Sequence, residues 1–339
     1  MPEVNISKTK DHLGRYASRY PHILFEQVAY GSDYLRDGSV ITINNEATAG
    51  MQVGIPNDTI TEVWQGMYPE FQAKGNIHFS VEATTQRQHK INVPIYPEAL
   101  VGQWEGVTPT NGTVLYDETK GMKKQPLARF AWNKILKRVQ KDRDTKVFMR
   151  GKYVAPTGGT PPPAEESVDG IYEVLRKAVL TEIDYGDRVG KPKLEPMALG
   201  PVPTDPKLIL EYFREFKFSI PEQYRSEGLY VAASKTICER YVDAKSTEAK
   251  HSQQYAPKMY IDGSSMQLRH FPGMEDSDLV FAYAPGNLIR IINRNDGATQ
   301  NFEVNDAEMY ILRAKAGWHE CYGFGHFDYV FATNQIPPA

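Results

Sequence analysis

The chain opens with about seventy polar, weakly periodic residues in which short apolar groups such as Ile23-Leu24-Phe25 stand among Gly, Asp and Asn. Ser39 to Ile43 alternates like a strand. Ile60, Val63, Trp64, Met67 and Phe71 have helical spacing, which Pro69 interrupts. This region, 1–76, reads as an extended N-terminal arm with little structure of its own. Ile77 to Val81 and Ile91 to Ile95 then alternate with period two. They flank the polar stretch 82–90, which predicts a hairpin turn or a flexible tip. Thr108-Pro109-Thr110-Asn111-Gly112 is a loop by its residue chemistry, and Thr113 to Tyr116 suits a returning strand. The span 77–125 therefore reads as an extended loop region.

The strongest helical pattern follows. Pro126 suits a first helical position, and Leu127, Phe130, Ala131, Ile135, Leu136 and Val139 share one face. Lys134, Lys137, Arg138, Lys141 and Arg143 fall on other faces. Continued to about Arg150, the helix would be about 36 Å long, enough to span a subunit. A Gly/Pro loop precedes a second helix through Ile171, Val174, Leu175, Ala178 and Val179. After the Gly/Pro-rich linker 186–203, Asp205 can cap a helix that starts at Pro206, and Ser234 can cap another. Leu229 to Ala233 between them reads as a buried strand. The last hundred residues turn to strand: Leu268 to Phe271, Leu279 to Tyr283, Leu288 to Ile292, Phe302 to Val304, Met309 to Ala316 and Tyr329 to Ala332. The order of elements predicts an α+β protein.

Composition removes several function classes. With 39 Lys+Arg against 42 Asp+Glu, the net charge of -3 leaves no overall electrostatic footprint for binding phosphates, although a basic face can hide in a balanced total. The basic face of the long helix could meet nucleic acid, stay solvated or pair with a neighbouring subunit's acids. Two distant cysteines, Cys238 and Cys321, build no disulfide framework and read as reduced thiols. The N-terminus has no signal-peptide pattern, and no run is apolar enough for a membrane span.

The chemistry of catalysis is sparse. Gly186-Asp187-Arg188-Val189-Gly190-Lys191 ends in Pro192, not the Ser or Thr of a phosphate-binding loop. His319, Cys321 and His326 are zinc-type donors close in sequence, but aromatic residues fill the gaps and no fourth ligand is evident. A metal-dependent hydrolase using these three is the alternative of another class; a structural strand is preferred. Glu275-Asp276-Ser277-Asp278 lacks the ligand spacing of a calcium loop and reads as an exposed acidic turn. No cofactor, no metal and no enzymatic activity are expected.

The series of features resembles the major capsid proteins of tailed bacteriophages, with the Hong Kong 97-type fold that encapsulin shells share. Gln103-Trp104-Glu105-Gly106 with Thr108-Pro109 is similar to a stretch near the tip of the family's extended loop. The helix from Pro126, ending in Phe148-Met149-Arg150-Gly151, resembles its spine helix. Pro206 to Phe216, then Leu229 to Ser234, resembles its axial domain, and Phe302 to Thr333 its closing sheet. The resemblance implies a peripheral domain with spine helix over 126–200, an axial domain over 201–290 and closing strands over 291–339. It implies self-assembly into hexamers and pentamers of an icosahedral head around double-stranded DNA, made in the host cytoplasm and located in the virion capsid. A portal, a separate scaffolding protein and non-specifically packaged DNA would be partners, and no membrane. An encapsulin-like compartment shell is the alternative within this fold. Trp104 and Glu105 are the candidate inter-subunit contacts.

Overall fold

A computed structural model of the chain describes residues 6–30, 32–44, 52–60, 77–107, 126–156, 158, 161–182, 190–248, 259–275, 277–293, 302–308 and 311–337. The strands are β1 (Ile41–Asn44), β2 (Gln52–Ile60), β3 (Ile77–Thr85), β4 (Arg87–Ile95), β5 (Tyr230–Ala233), β6 (Gln267–His270), β7 (Phe281–Tyr283), β8 (Leu288–Ile292), β9 (Glu303–Glu308), β10 (Ile311–Phe324) and β11 (Val330–Ala332). The helices are α1 (Ile6–Arg19), α2 (Pro21–Tyr30), α3 (Asp33–Arg36), α4 (Pro97–Val107), α5 (Pro126–Asp142), α6 (Ile171–Leu180), α7 (Pro206–Ser219), α8 (Glu222–Arg225) and α9 (Lys235–Glu248). The mixed α+β class agrees with the sequence.

One sheet runs β1-β8-β10-β4, with β9 also on β10. The long β10 organises it. One edge pairs with β4 from Leu312 to Glu320, and the other with β9 near its start and β8 near its end. The second sheet runs β11-β7-β5-β6. Its central strands β5 and β7 are buried on both faces. Phe281 and Tyr283 point into the core shared with α6, whereas Val280 and Ala282 meet the core of α7 and α9. Period-two alternation therefore serves two apolar layers at once, as in any strand covered on both sides. Asp205 accepts the Lys207 N–H at 2.8 Å and Ser234 accepts the Ile237 N–H at 3.3 Å, so both expected caps form.

Two placements differ from expectation. The hairpin expected between Ile77–Val81 and Ile91–Ile95 does not form. β3 pairs with β2, whereas β4 pairs with β10. Both strands alternate correctly, but alternation does not name a partner. The last strand, β11, was grouped with the closing sheet, yet it pairs with β7. Ala99 to Gly106, for which the sequence suggested no element, belongs to α4.

The N-terminal region is also not an extended arm where it is described. α1 buries Thr9, His12, Leu13, Tyr16 and Ala17, spaced as one helical face. That face meets α5 and β9, and the Trp132 indole N–H donates to the Leu13 carbonyl at 3.3 Å. Thr9, His12 and Tyr16 make up most of the stripe, so a count of strongly apolar residues overlooks it. Leu13→Ala should cost about 2–4 kcal/mol in a urea titration. An unchanged midpoint would mean that α1 is not part of the cooperative fold. The expected helical run from Ile60 to Phe71 starts on a residue that ends β2, and its remainder, 61–71, lies outside the described residues, as does the expected strand at 113–116.

Candidate assembly elements and a buried charge cluster

β2 and β3 form a two-stranded sheet of their own, in register from Gln52↔Thr85 to Ile60↔Ile77. Nine residues per strand make a ribbon roughly 30 Å long at the usual rise. At its root only the fully buried Gln86 separates β3 from β4. The Thr84 hydroxyl donates to the Tyr322 carbonyl at 3.4 Å, tying the root to β10. A lone two-stranded ribbon is marginal in water, so this element gains most from a surface to lie on. Trp104 and Glu105 fall in the C-terminal half of α4, and their side chains lie outside the described residues.

Beneath the ribbon root lies a cluster of charge that the sequence reading did not single out. The Arg290 side chain on β8 is 1 % exposed and that of Glu320 on β10 is 2 % exposed. Arg290 Nε donates to Glu320 Oε2 at 3.1 Å, and its Nη2 donates to the same oxygen. The Tyr322 hydroxyl donates to Glu320 Oε1 at 2.6 Å. His89 Nε2 on β4 lies 4.0 Å from that oxygen, with its ring stacked on Trp318. Burial alone would push the Glu320 carboxyl up. Arg290, then His89 and Arg143, and the Tyr322 hydroxyl overcome this and hold it at about 2. Burial pushes the His89 pKa down despite Glu320, so at neutral pH the ring is uncharged and this contact is not an ion pair.

The cluster continues into the long helix. After Asp142 the helix widens into a π-helical turn, Arg143–Val147, where the Phe148 N–H donates to the Arg143 carbonyl at 2.9 Å. Such turns insert one residue and re-aim a side chain. Here the buried Arg143 donates from Nη2 to Ser32 Oγ at 2.5 Å and from Nε to Asp144 Oδ1 at 3.3 Å. Ser32 and Tyr34 donate to Asp144 at 2.6 and 2.8 Å. The network therefore joins the helix end, the segment at α3 and the sheet. A sequence signal was available: Arg290 stands inside Leu288-Ile289-Arg290-Ile291-Ile292, and a charge in a fully apolar strand needs a buried partner.

The donors weighed for a metal are not brought together. Cys321 belongs to the apolar core, and burial pushes its thiol up to about 12, as it does for Cys238. His326 is held elsewhere by Asn287: its N–H donates to Asn287 Oδ1 at 2.7 Å, and Asn287 Nδ2 donates to its carbonyl at 2.8 Å. Among the described residues no group of three His, Cys, Asp or Glu side chains is placed to hold a metal ion. His319, Cys321 and His326 therefore do not form a shared metal site. In the acidic turn the Ser277 hydroxyl accepts the Leu279 N–H at 3.1 Å, which is loop capping rather than a ligand shell. Among the described residues no helix is long and apolar enough to cross a membrane.

No protein-family model matches the chain, and no curated protein matches it in sequence. Solved structures do match. A chain of the satellite phage P4 procapsid, a structure that includes the size determination protein, aligns with TM-score 0.55 and 11 % identity over 93 % of this chain and 90 % of that one. A virus-like particle from Pyrococcus furiosus aligns with TM-score 0.43 and 10 % identity over 96 % and 99 %. The mature capsid of bacteriophage PhiM1 gives TM-score 0.45 and 8 % identity over 87 % and 84 %. The first of these establishes the class: the chain has an α+β fold shared, over nearly its whole length, with a chain of a phage procapsid.

Proposed function

We propose that this protein is a shell-building subunit, the major capsid protein of a tailed phage with the Hong Kong 97-type fold. It would assemble into hexamers and pentamers of an icosahedral head around double-stranded DNA. The observation that carries the reading is the fold correspondence with the phage procapsid chain across nine-tenths of both molecules. The ribbon β2–β3 supports it: among the described residues its strands pair only with each other, and it would gain a core against a neighbouring copy. Repetition of one such contact generates closed symmetric assemblies. The role is structural, not enzymatic: both thiols are buried and protonated, and the buried carboxylate Glu320 is spent on Arg290. A portal and a separate scaffolding protein would be partners, and the virion capsid would be the location after assembly in the host cytoplasm.

Electron microscopy of the expressed chain, alone and with a scaffolding protein from the same source, tests the reading. Uniform shells are expected. A stable small oligomer that never forms shells under either condition would count against it. Trp104 and Glu105 on α4 remain the proposed inter-subunit contacts. Trp104→Ala should reduce shell yield severalfold while shifting the denaturation midpoint little, since buried aromatic anchors dominate interfaces. Normal shell yield from that variant would remove Trp104 from the interface.

A further inference from the structure

The balanced total charge conceals a strong separation. Residues 6–30 and 126–150 contain twelve Lys/Arg and four Asp/Glu, a formal charge of +8. The rest of the chain then carries 27 Lys/Arg against 38 Asp/Glu, a formal charge of -11. The two basic segments are far apart in sequence but form one helical layer. α1 packs along α5, and Gln140 on α5 donates to the Gln27 carbonyl of α2 at 2.7 Å.

The layer turns its apolar residues inward and its cations outward. Leu127, Ala128, Ala131, Trp132 and Leu136 are buried, whereas Arg129, Lys134, Lys137, Arg138 and Lys141 are exposed. Lys8, Arg15 and Arg19 are exposed on α1. Arg138 is paired with Asp142 at 2.9 Å, and Lys134 bonds Gln103 at 2.9 Å. Lys137 and Lys141 make no ion pair among the described residues. Lys134, Lys137, Arg138 and Lys141 recur at three- and four-residue steps, a stripe on one face about 10 Å long.

We propose that this α1/α5 layer is the surface on which the protein meets duplex DNA, without sequence preference, through the phosphate backbone. The inference rests on the capsid reading and adds to it which face of the subunit touches the packaged polyanion. A row of exposed cations that includes Lys137 and Lys141 suits a regularly charged phosphate chain. The surplus of acid elsewhere would repel DNA and so orient the subunit. Cations spaced along a helix surface suit positioning on phosphates rather than sequence readout.

The test measures binding of the purified full chain to labelled duplex DNA of about 30 base pairs and random sequence, across a salt series. Lys137→Glu/Lys141→Glu should weaken binding roughly tenfold or more and reduce the slope of log K against log salt by about 2. The matched reversal Lys207→Glu/Lys235→Glu, on α7 and α9, should leave both unchanged, and circular dichroism should show all three chains folded. The inference is overturned if the unaltered chain does not bind. It is also overturned if the two reversals act alike, or if polyglutamate of equal charge binds as tightly as DNA. Shells are scored in parallel. Shells from a chain that fails these criteria sink the inference alone, whereas DNA binding with these changes but no shells sinks the capsid reading alone.

Discussion

Gly170→Ala is expected to cost ~3 kcal/mol or more, enough to lower soluble yield sharply, because the space for a methyl group is already taken by backbone. A Cβ at this position would stand 2.6 Å from the Val147 carbonyl oxygen, 2.7 Å from the Gly151 nitrogen and 2.9 Å from the Met149 carbonyl oxygen. None of these atoms can rotate away. They belong to the exit of the π-helical turn, where the Gly170 N–H donates to the Gly151 carbonyl at 2.8 Å and the Ile171 N–H to that of Phe148 at 2.9 Å. Gly273 closes the same turn from another side. Its φ of 88° is one that side chains rarely adopt, and a Cβ there would lie 2.9 Å from the Asp144 carbonyl oxygen. Denaturant titration and soluble yield report the effect. A Gly170→Ala chain with wild-type stability would show that the helix exit can move aside, contrary to this packing.

Glu320→Ala is expected to destabilise the chain by about 3–5 kcal/mol, since it leaves Arg290 charged and buried without its carboxylate. The double change Arg290→Met/Glu320→Leu should recover most of that loss, because an apolar pair carries no desolvation cost. A double change as damaging as the single one would mean that shape, not charge, governs the site. The carboxyl also sets an acid dependence. Its pKa is about 2 in the folded chain against an ordinary 4.5, so on acidification the unfolded chain binds the proton first. The stabilisation is complete above about 4.5 and is lost as pH falls through about 2. Stability measured over that window should decline less steeply for Glu320→Gln than for the unaltered chain. An equal decline would assign the acid sensitivity to other groups.

Which parts of this protein are visible from sequence follows from what one-dimensional patterns encode. α5 was legible because Pro126 and the spacing of Leu127, Ala131 and Leu136 are local facts. The caps Asp205 and Ser234 and the strands β5, β7 and β8 were legible for the same reason. α1 was not, because Thr9, His12 and Tyr16 supply much of a buried face that hydropathy alone scores as polar. The ribbon was misplaced because Ile77–Val81 alternates equally well against any partner strand.

By itself, then, the sequence determined the α+β class, the long basic helix, the capped helices of the second half and the lack of ordinary catalytic motifs. Each rests on spacing or residue chemistry within a few turns of chain. Only the tertiary structure decided that β3 pairs with β2, that Arg290 and Glu320 neutralise each other in the core, and that α1 and α5 join into one cationic layer. These depend on contacts between residues 17 to more than 100 positions apart in the chain. A charge total of -3 cannot show them, because it adds together surfaces that the fold holds apart.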